Sequence, residues 1–102
     1  MRMELIHGVI AWAAERGLLA PSKAEKQALK FFSEAGEMAD NLIKGRDVRD
    51  DIGDILVTLI ILADQCGTTL DECLTIAYND IKNRTGQTVD GVFIKDGDNG
   101  AN

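Results

Sequence analysis

The sequence predicts an all-α fold, a four-helix bundle-like protomer that is followed by a short C-terminal hairpin or extended arm. Three observations support this: four segments carry apolar residues at helical spacing, glycines separate them, and the helical pattern stops after Arg84. A chain of 102 residues with one proline is long enough for one hydrophobic core. We therefore assign residues 1–84 to a helical domain and residues 85–102 to a tail, of which we expect residues 96–102 to be disordered.

The sequence contains recognisable start or stop signals for the first two helices. The first runs from about Met3 to Arg16 and stops at Gly17. The second begins at Ser22, which has capping-box spacing to Glu25, and continues to about Lys44. Apolar positions at helical spacing in the second helix predict its core-facing stripe, which comprises Ala28, Phe32, Ala35, Ala39 and Leu42.

The last two helices are bounded in the same way. The third starts near Asp47 and ends at Cys66, before Gly67, and the fourth starts with a second capping box at residues 69–72. One face of the fourth helix carries Leu70, Leu74, Ala77 and Ile81. Beyond it, Asp90 and Gly91 lie between short apolar pieces, which predicts a hairpin turn.

The main candidate functional residues belong to two acidic motifs, Glu34-Ala-Gly-Glu37 and Asp51-Ile-Gly-Asp54. Within each motif the carboxylates share one helix face, and antiparallel helices joined at Gly45 would bring all four together. In that register Glu37 faces Asp54, and Asp40 faces Asp51. Such a cluster repels itself unless cations bind it, and hard oxygen ligands suit Mg²⁺, with Mn²⁺ as a substitute.

The alternative interpretation of these carboxylates is a solvated helix face. The third helix argues against it, because Ile55–Ala63 is apolar almost all the way round and must be buried on most sides. Asp54 projects from the same face as Val57 and Ile61. A carboxylate on such a face is unfavourable without a cation or several donors, so we favour a metal site.

From about Lys30 to Arg84 the chain resembles the MazG-like nucleotide pyrophosphohydrolases of the all-α NTP pyrophosphatase superfamily, whose pattern is E-x-x-E, a gap, then E-x-x-D. The resemblance rests on both acidic motifs, on the Lys-Phe-Phe-Ser segment before the first, and on Asn-Asp-Ile-Lys-Asn-Arg at residues 79–84. One position departs from the family pattern: Asp51 stands where the family has glutamate, so its carboxylate is one methylene shorter.

The resemblance implies that the protein is an enzyme that hydrolyses nucleoside triphosphates to monophosphate and pyrophosphate, in the housekeeping of the nucleotide pool. Glu34, Glu37, Asp51 and Asp54 would hold Mg²⁺, and Glu34 or Glu37 would be the catalytic base. Candidate substrate-binding residues are Lys30, Asn79, Lys82, Arg84 and Trp12: the cations for phosphates, Asn79 for sugar or base, and Trp12 for base contact.

The composition limits the partners. A formal charge of -6 and a pI near 4.6, with no basic patch, argue against binding to a nucleic acid polymer. Ile55–Ala63 is too short to span a bilayer, so we expect no membrane partner. Cys66 and Cys73 show no metal-ligand spacing; we expect them to be small core residues with reduced thiols in a cytoplasmic protein.

The apolar third helix predicts self-association. It has more apolar surface than one neighbouring helix can cover, so we expect a homo-oligomer built on helices two and three, a dimer or a dimer of dimers. An alternative function is a non-enzymatic helical dimerisation or adaptor protein whose acidic face is merely solvated. A metal-dependent phosphatase on another scaffold is a third alternative, whereas a deaminase is disfavoured because no Cys/His zinc signature is present.

Overall fold

The computed structural model describes residues 2–97, which form four α-helices, one 3₁₀ turn and a two-stranded antiparallel sheet. The elements follow in the order α1 (Met3–Glu15), the 3₁₀ turn (Pro21–Lys23), α2 (Ala24–Ile43), α3 (Arg49–Gln65), α4 (Leu70–Ile81), β1 (Gly86–Val89) and β2 (Val92–Lys95). The predicted helical class with a C-terminal hairpin is confirmed.

The start of α2 differs from the prediction. The capping box at Ser22 is not formed, because Ser22 lies inside the 3₁₀ turn and α2 has Lys23 at its N-cap, with no side-chain cap. Pro21 opens the 3₁₀ turn, where its fixed φ and missing N–H are tolerated. The start of α3 at Arg49 lies close to the predicted start near Asp47. The N–H of Arg49 donates to Oδ1 of Asp47 at 3.0 Å, at the beginning of the helix.

The connection between α2 and α3 depends on Gly45. This residue has a φ of 72°, a left-handed conformation that glycine adopts without a steric penalty. The N–H of Arg46 then donates to the carbonyl of Asn41 at 2.9 Å, which closes the end of α2 as a Schellman-type cap. The predicted helix end at this glycine is confirmed, and the turn sends α3 back along α2.

The contacts divide the chain into two compact units, Met1–Leu70 and the residues from Asp71 onward, whereas the sequence predicted a division after Arg84. In the first unit α2 lies along α3, α1 packs on α3, and the 3₁₀ turn contacts both α2 and α3. The apolar residues of its core are Ile6, Ala13, Ile60, Ile61 and Ala63.

The side of α2 that meets α3 is not the predicted one. Phe32 is 70 % exposed and Leu42 is 62 % exposed, whereas Glu34 is only 8 % exposed. The buried and half-buried positions of this face are Gln27, Phe31, Glu34, Met38 and Asn41. Of the predicted stripe, Phe32, Ala39 and Leu42 are exposed and the prediction is wrong there, whereas Ala28 and Ala35 are half-buried. The carboxylate face with Glu34 is the side of α2 that is most buried.

The second unit consists of α4 and the hairpin. No residue of α4 is buried, and both Cys66 in the first unit and Cys73 in the second are exposed, so the prediction of core cysteines is wrong. In the hairpin, Val89 lies opposite Val92, and Asp90 and Gly91 have φ values of 51° and 79°, as a type I′ turn requires.

Residue 96 belongs to the hairpin region. The N–H of Asp96 donates to the carbonyl of Thr85 at 2.8 Å, and the Thr85 hydroxyl donates to Asp96 Oδ2 at 2.7 Å. The predicted disorder is therefore wrong at this residue, and residues 98–102 lie outside the described part of the chain. Within residues 2–97 no single helix is long and apolar enough to cross a membrane; α3 and α4 meet that criterion only when counted together.

Candidate functional site

Residues from both acidic motifs line one cavity in the first unit. It lies between α2 and α3, and α1 together with the segment after it supplies a further wall. Its volume is about 300 Å³. The lining residues are Trp12, Leu18, Gln27, Lys30, Glu34, Asp54, Val57, Thr58 and Ile61. One carboxylate of each motif, Glu34 and Asp54, therefore reaches the same space.

Glu34 is held by a lysine one turn earlier on α2. The Nζ of Lys30 lies 2.9 Å from Oε1 of Glu34, in the i,i+4 relation that brings helical side chains together. This hydrogen bond lowers the pKa of Glu34, and the same contact raises the pKa of Lys30. Both groups therefore carry their full charges near neutral pH, and Glu34 is ionised although it is buried.

The pKa of Asp54 is shifted in the opposite direction, upwards. Burial raises its pKa most, and the negative charges of neighbouring carboxylates raise it further, those of Asp50, Glu34 and Asp51. The Lys30 ammonium acts in the other direction but does not overcome these effects. Burial first, and then repulsion by its acidic neighbours, disfavours the ionised form of Asp54.

Asp51 is oriented by an amide that the sequence interpretation did not include. Nδ2 of Asn41 donates to Oδ2 of Asp51 at 3.1 Å, and Oδ1 of Asn41 accepts a hydrogen bond from Nη1 of Arg46 at 3.2 Å. The prediction that Asp40 faces Asp51 is wrong, because Asp40 instead accepts a hydrogen bond from Lys44 at 2.8 Å on the exposed side. Asn41, the neighbour of Asp40, is therefore the residue of α2 that meets Asp51.

Glu37 lies beside the cavity and not in its lining. The cavity lining contains Glu34 together with Asp54, whereas the predicted register placed Glu37 opposite Asp54. Glu37 is exposed, yet its charge raises the pKa of Lys30 after the larger effect of Glu34. The helical spacing that identified Glu34 and Glu37 also points to Asn41, since positions 34, 37 and 41 recur on one face of α2.

The donor set has the chemistry of a hard-cation site. Carboxylate oxygens are the ligands that Mg²⁺ and Mn²⁺ prefer, and Asp54 is destabilised by charges that a cation would neutralise. Within residues 2–97 no group of three or more His, Cys, Asp or Glu side chains is already gathered around a common point. In this structure the Lys30 ammonium is the cation that meets Glu34.

Trp12 lies at the junction of two cavities. It lines the cavity that contains Glu34 and Asp54, here called the acidic cavity, and a second cavity of about 540 Å³. Asp54 and Val57 also line both cavities. The guanidinium of Arg16 lies over the indole, 4.3 Å from the ring centroid, and Nη1 of Arg16 donates to the carbonyl of Trp12 at 2.9 Å. These contacts fix an aromatic ring beside the carboxylates.

The other candidate substrate-binding residues lie in the second unit. Arg84 forms an i,i+4 ion pair with Asp80 of α4, and Asn79 and Lys82 are exposed at the end of the same helix. Of the nine predicted site residues, the structure brings Trp12, Lys30, Glu34 and Asp54 into one cavity lining. Thr58 and Gln27 of this lining were missed, because their polar side chains carried no motif.

Comparison with known proteins gives one informative match. The chain is 36 % identical over 64 residues to a Haemophilus phage HP1 (strain HP1c1) protein described as an uncharacterized 18.2 kDa protein in the rep-hol intergenic region. The matched region is 61 % of this chain and 39 % of that protein, so the chain spans well under two thirds of the relative's length. No protein-family model matches the chain, and no solved structure matches it.

Proposed function

We propose that the chain is a Mg²⁺-dependent nucleoside triphosphate pyrophosphohydrolase of the MazG-like type. The observation that carries the proposal is the cavity in which Glu34 and Asp54 meet beside Trp12. Its carboxylates repel one another, which raises the pKa of Asp54 after the effect of burial. A divalent cation with bound phosphates would relieve this repulsion, and the adjacent indole offers a surface for a base.

The metal would be held by Glu34, Glu37, Asp51 and Asp54. When bound, Mg²⁺ or Mn²⁺ supplies positive charge for the phosphates and lowers the pKa of water. Asn41 orients Asp51 through its 3.1 Å hydrogen bond. Glu34 or Glu37 accepts the proton of the attacking water, and the Lys30 ammonium adds positive charge beside the phosphates. Attack at the α-phosphorus follows from the family resemblance.

The remaining proposed substrate contacts rest on the family resemblance alone. Lys82 and Arg84 bind phosphate oxygens, and Asn79 binds the sugar or the base. Arg84 forms an ion pair with Asp80 just after the end of α4. Trp12 contacts the base, with Arg16 behind one face of the ring.

We further propose that the protein is a cytoplasmic homo-oligomer, at least a dimer. Large apolar residues of α2 are exposed in the single chain, and a second copy would cover them. They are Leu29, Phe32, Leu42 and Ile43. The same surface favours the alternative function, a non-enzymatic dimerisation or adaptor protein, in which the acidic cavity has no chemical role.

Hydrolysis assays separate the two functions. The protein is incubated with a panel of nucleoside triphosphates and Mg²⁺, with and without EDTA, and monophosphate and pyrophosphate are measured. We expect turnover that EDTA abolishes and that Mg²⁺ or Mn²⁺ restores. Asp54→Asn should lower turnover by about 10²-fold or more, because it removes a charged metal ligand. Asp64→Asn, the same substitution on α3 outside the cavity lining, is the matched control and should retain activity.

The same variants give a binding readout. Mg²⁺ should raise the melting temperature of wild type and of Asp64→Asn, because a ligand that binds only the folded state stabilises it. Mg²⁺ should raise the melting temperature of Asp54→Asn by less. If no triphosphate is turned over and Mg²⁺ leaves the melting temperature of wild type unchanged, the adaptor alternative is supported and the enzyme proposal is wrong.

A further inference from the structure

The 540 Å³ cavity beside Trp12, here called the α1 cavity, lies between α1 and α3 and has a largely apolar lining. Its apolar walls are Leu5, Val9 and Trp12 of α1 and Val57 of α3. Leu5 is 57 % exposed and Trp12 is 46 % exposed in the single chain. Apolar side chains that line an open cavity form the kind of surface that a ligand or a partner covers.

The charges around the two adjoining cavities determine which part of a nucleotide each can take. The lining of the α1 cavity contains no Lys, Arg or His, and its charged residues are Glu4 and Asp54. The acidic cavity, in contrast, contains the Lys30 ammonium. Phosphate oxygens would be repelled in the α1 cavity, whereas Lys30 and a divalent cation would attract them in the acidic cavity. The α1 cavity is therefore left for the uncharged part of the nucleotide, which is its base.

A single ligand can occupy both cavities, because Trp12, Asp54 and Val57 line both. A base that lies against Trp12 thus keeps its sugar and phosphate beside Asp54, without a long reach along the helices. The guanidinium of Arg16 covers one face of the indole, at 4.3 Å from the ring centroid. A planar ring can therefore stack only on the other face.

Gly8 is the lining residue that the local structure does not explain. It lies in the middle of α1, where glycine is less favourable than alanine. Its φ is not in the left-handed region, and a Cβ added to it would meet no heavy atom of the described residues within 4 Å. Neither backbone conformation nor packing therefore requires glycine at this position. Gly36 and Gly53 also face open space, but neither lines the α1 cavity.

The place of Gly8 on the helix makes the open space useful. Gly8 lies one turn before Trp12, and residues four apart project from the same face of a helix, about 6 Å apart along its axis. A side chain at position 8 would project beside the indole, into the space where a planar ring could stack. The absence of that side chain keeps this space open.

We propose that the α1 cavity binds the base of the nucleotide and that Gly8 is a specificity-determining residue, because its missing side chain leaves room for a base to stack on Trp12. The base is recognised by its flat apolar faces, so a nucleotide binds well and a sugar phosphate without a base binds poorly. This inference rests on the proposed function, because it assumes that the phosphates occupy the acidic cavity.

Binding to the wild-type chain in Mg²⁺ tests the inference without hydrolysis. Calorimetry compares the four common nucleoside monophosphates with ribose 5-phosphate, which has no base. We expect at least one monophosphate to bind about 10-fold tighter or more, as stacking of a base on an aromatic side chain provides. Trp12 is the only tryptophan of the sequence, so its fluorescence reports on this cavity. That monophosphate should quench the fluorescence, and ribose 5-phosphate should not.

Variants then assign the effect to Gly8. In Gly8→Leu the preference for the monophosphate over ribose 5-phosphate should fall below about 2-fold. The same variant should melt at the wild-type temperature or up to about 5 °C higher, because leucine favours a helix more than glycine does. Gly8→Ala should give an intermediate preference, and it decides the question if Gly8→Leu does not fold. Ala14→Leu, at an exposed position of α1 outside both linings, is the matched control and should bind as wild type does.

The outcomes separate this inference from the proposed function. Equal affinity of wild type for ribose 5-phosphate and every monophosphate, or an unchanged preference in Gly8→Leu, overturns the base subsite, and hydrolysis of triphosphates would then leave the enzyme proposal standing. If Gly8→Leu lowers the sedimentation mass and keeps the wild-type preference, a second copy covers the cavity and the inference is wrong. If no triphosphate is hydrolysed and no monophosphate binds, both proposals are wrong.

Discussion

Nζ of Lys30 lies 2.9 Å from Oε1 of Glu34, one turn apart on α2, so the chain supplies its own cation to the most buried carboxylate of the acidic cavity. This ion pair lowers the pKa of Glu34 and keeps it ionised. A divalent cation that binds Glu34 therefore competes with an ammonium group that is already present.

Removing that ammonium should strengthen metal binding by the free protein. In Lys30→Met we expect Mg²⁺ affinity to rise by about 10-fold, since one repelling unit charge near a divalent ion is worth roughly a factor of ten at high dielectric. Without Mg²⁺ the variant should melt a few degrees lower, because Glu34 loses its partner. Calorimetric titration of Mg²⁺ and melting curves measure both effects.

Lys30→Arg is the matched control because it keeps the positive charge. It should bind Mg²⁺ much as wild type does. For the nucleotide the expectation is reversed: Lys30→Met should raise KM, because the ammonium that repels the metal attracts the phosphates. Metal affinity that is unchanged in Lys30→Met would show that the divalent ion binds away from Glu34.

The fold class was predictable because its signals are local. Glycine at Gly45 and Gly67 ends helices through backbone conformation, and Asp90 followed by Gly91 specifies a tight hairpin turn. None of these depends on what else the helix contacts. The start of α2 was mispredicted because Ser22 could cap a helix or enter a 3₁₀ turn, and Pro21 favours the turn.

The side of α2 that meets α3 could not be predicted from hydrophobicity. The apolar stripe through Phe32 is the more hydrophobic face, yet Glu34 is the buried one. A polar face is buried where its groups find partners, and Lys30 and Asn41 supply them here. The acidic motifs were identifiable by spacing, whereas Gln27 and Thr58 of the cavity lining were not, because these single polar side chains belong to no motif.

The pH dependence of stability should reveal the strained state of Asp54. Burial and neighbouring carboxylates raise the pKa of Asp54 above its ordinary value of 3.8, so its ionisation weakens the folded state. Stability is lost as the pH rises from 3.8 through the raised pKa and stays level above it. Glu34 has the opposite sign: its pKa is lowered, so its contribution is present above 4.5 and is lost in acid.

Asp54→Asn isolates the first effect. In EDTA near pH 7 the variant should melt at the same temperature as wild type or up to about 4 °C higher, because it carries no repelled charge. The advantage should disappear below pH 3.8, where Asp54 is protonated in both folded and unfolded chains. Melting curves from pH 3 to 8 measure the difference. A variant that melts well below wild type at pH 7 would identify Asp54 as a structural hydrogen-bonding residue.

The exposed stripe of α2 predicts a subunit interface. Phe32 is 70 % exposed in the single chain, and replacing it with glutamate places a charge in the apolar contact of the proposed oligomer. We expect wild type to sediment as a dimer or larger and Phe32→Glu to shift towards the 11.1 kDa monomer. Val92→Glu on the hairpin, at a comparably exposed apolar position, should leave the mass unchanged. A wild type that sediments as a monomer at micromolar concentration contradicts this prediction.

The identity of the phosphorus products tests the proposed activity most directly. Phosphorus NMR of a reaction that contains the purified chain, Mg²⁺, a nucleoside triphosphate and no added pyrophosphatase distinguishes cleavage at the α-phosphorus from cleavage at the γ-phosphorus. We expect nucleoside monophosphate and pyrophosphate to form in equal amounts. In EDTA, or with Asp54→Asn, neither product should accumulate. Release of orthophosphate with nucleoside diphosphate, or no product with any triphosphate in the presence of Mg²⁺, would contradict it.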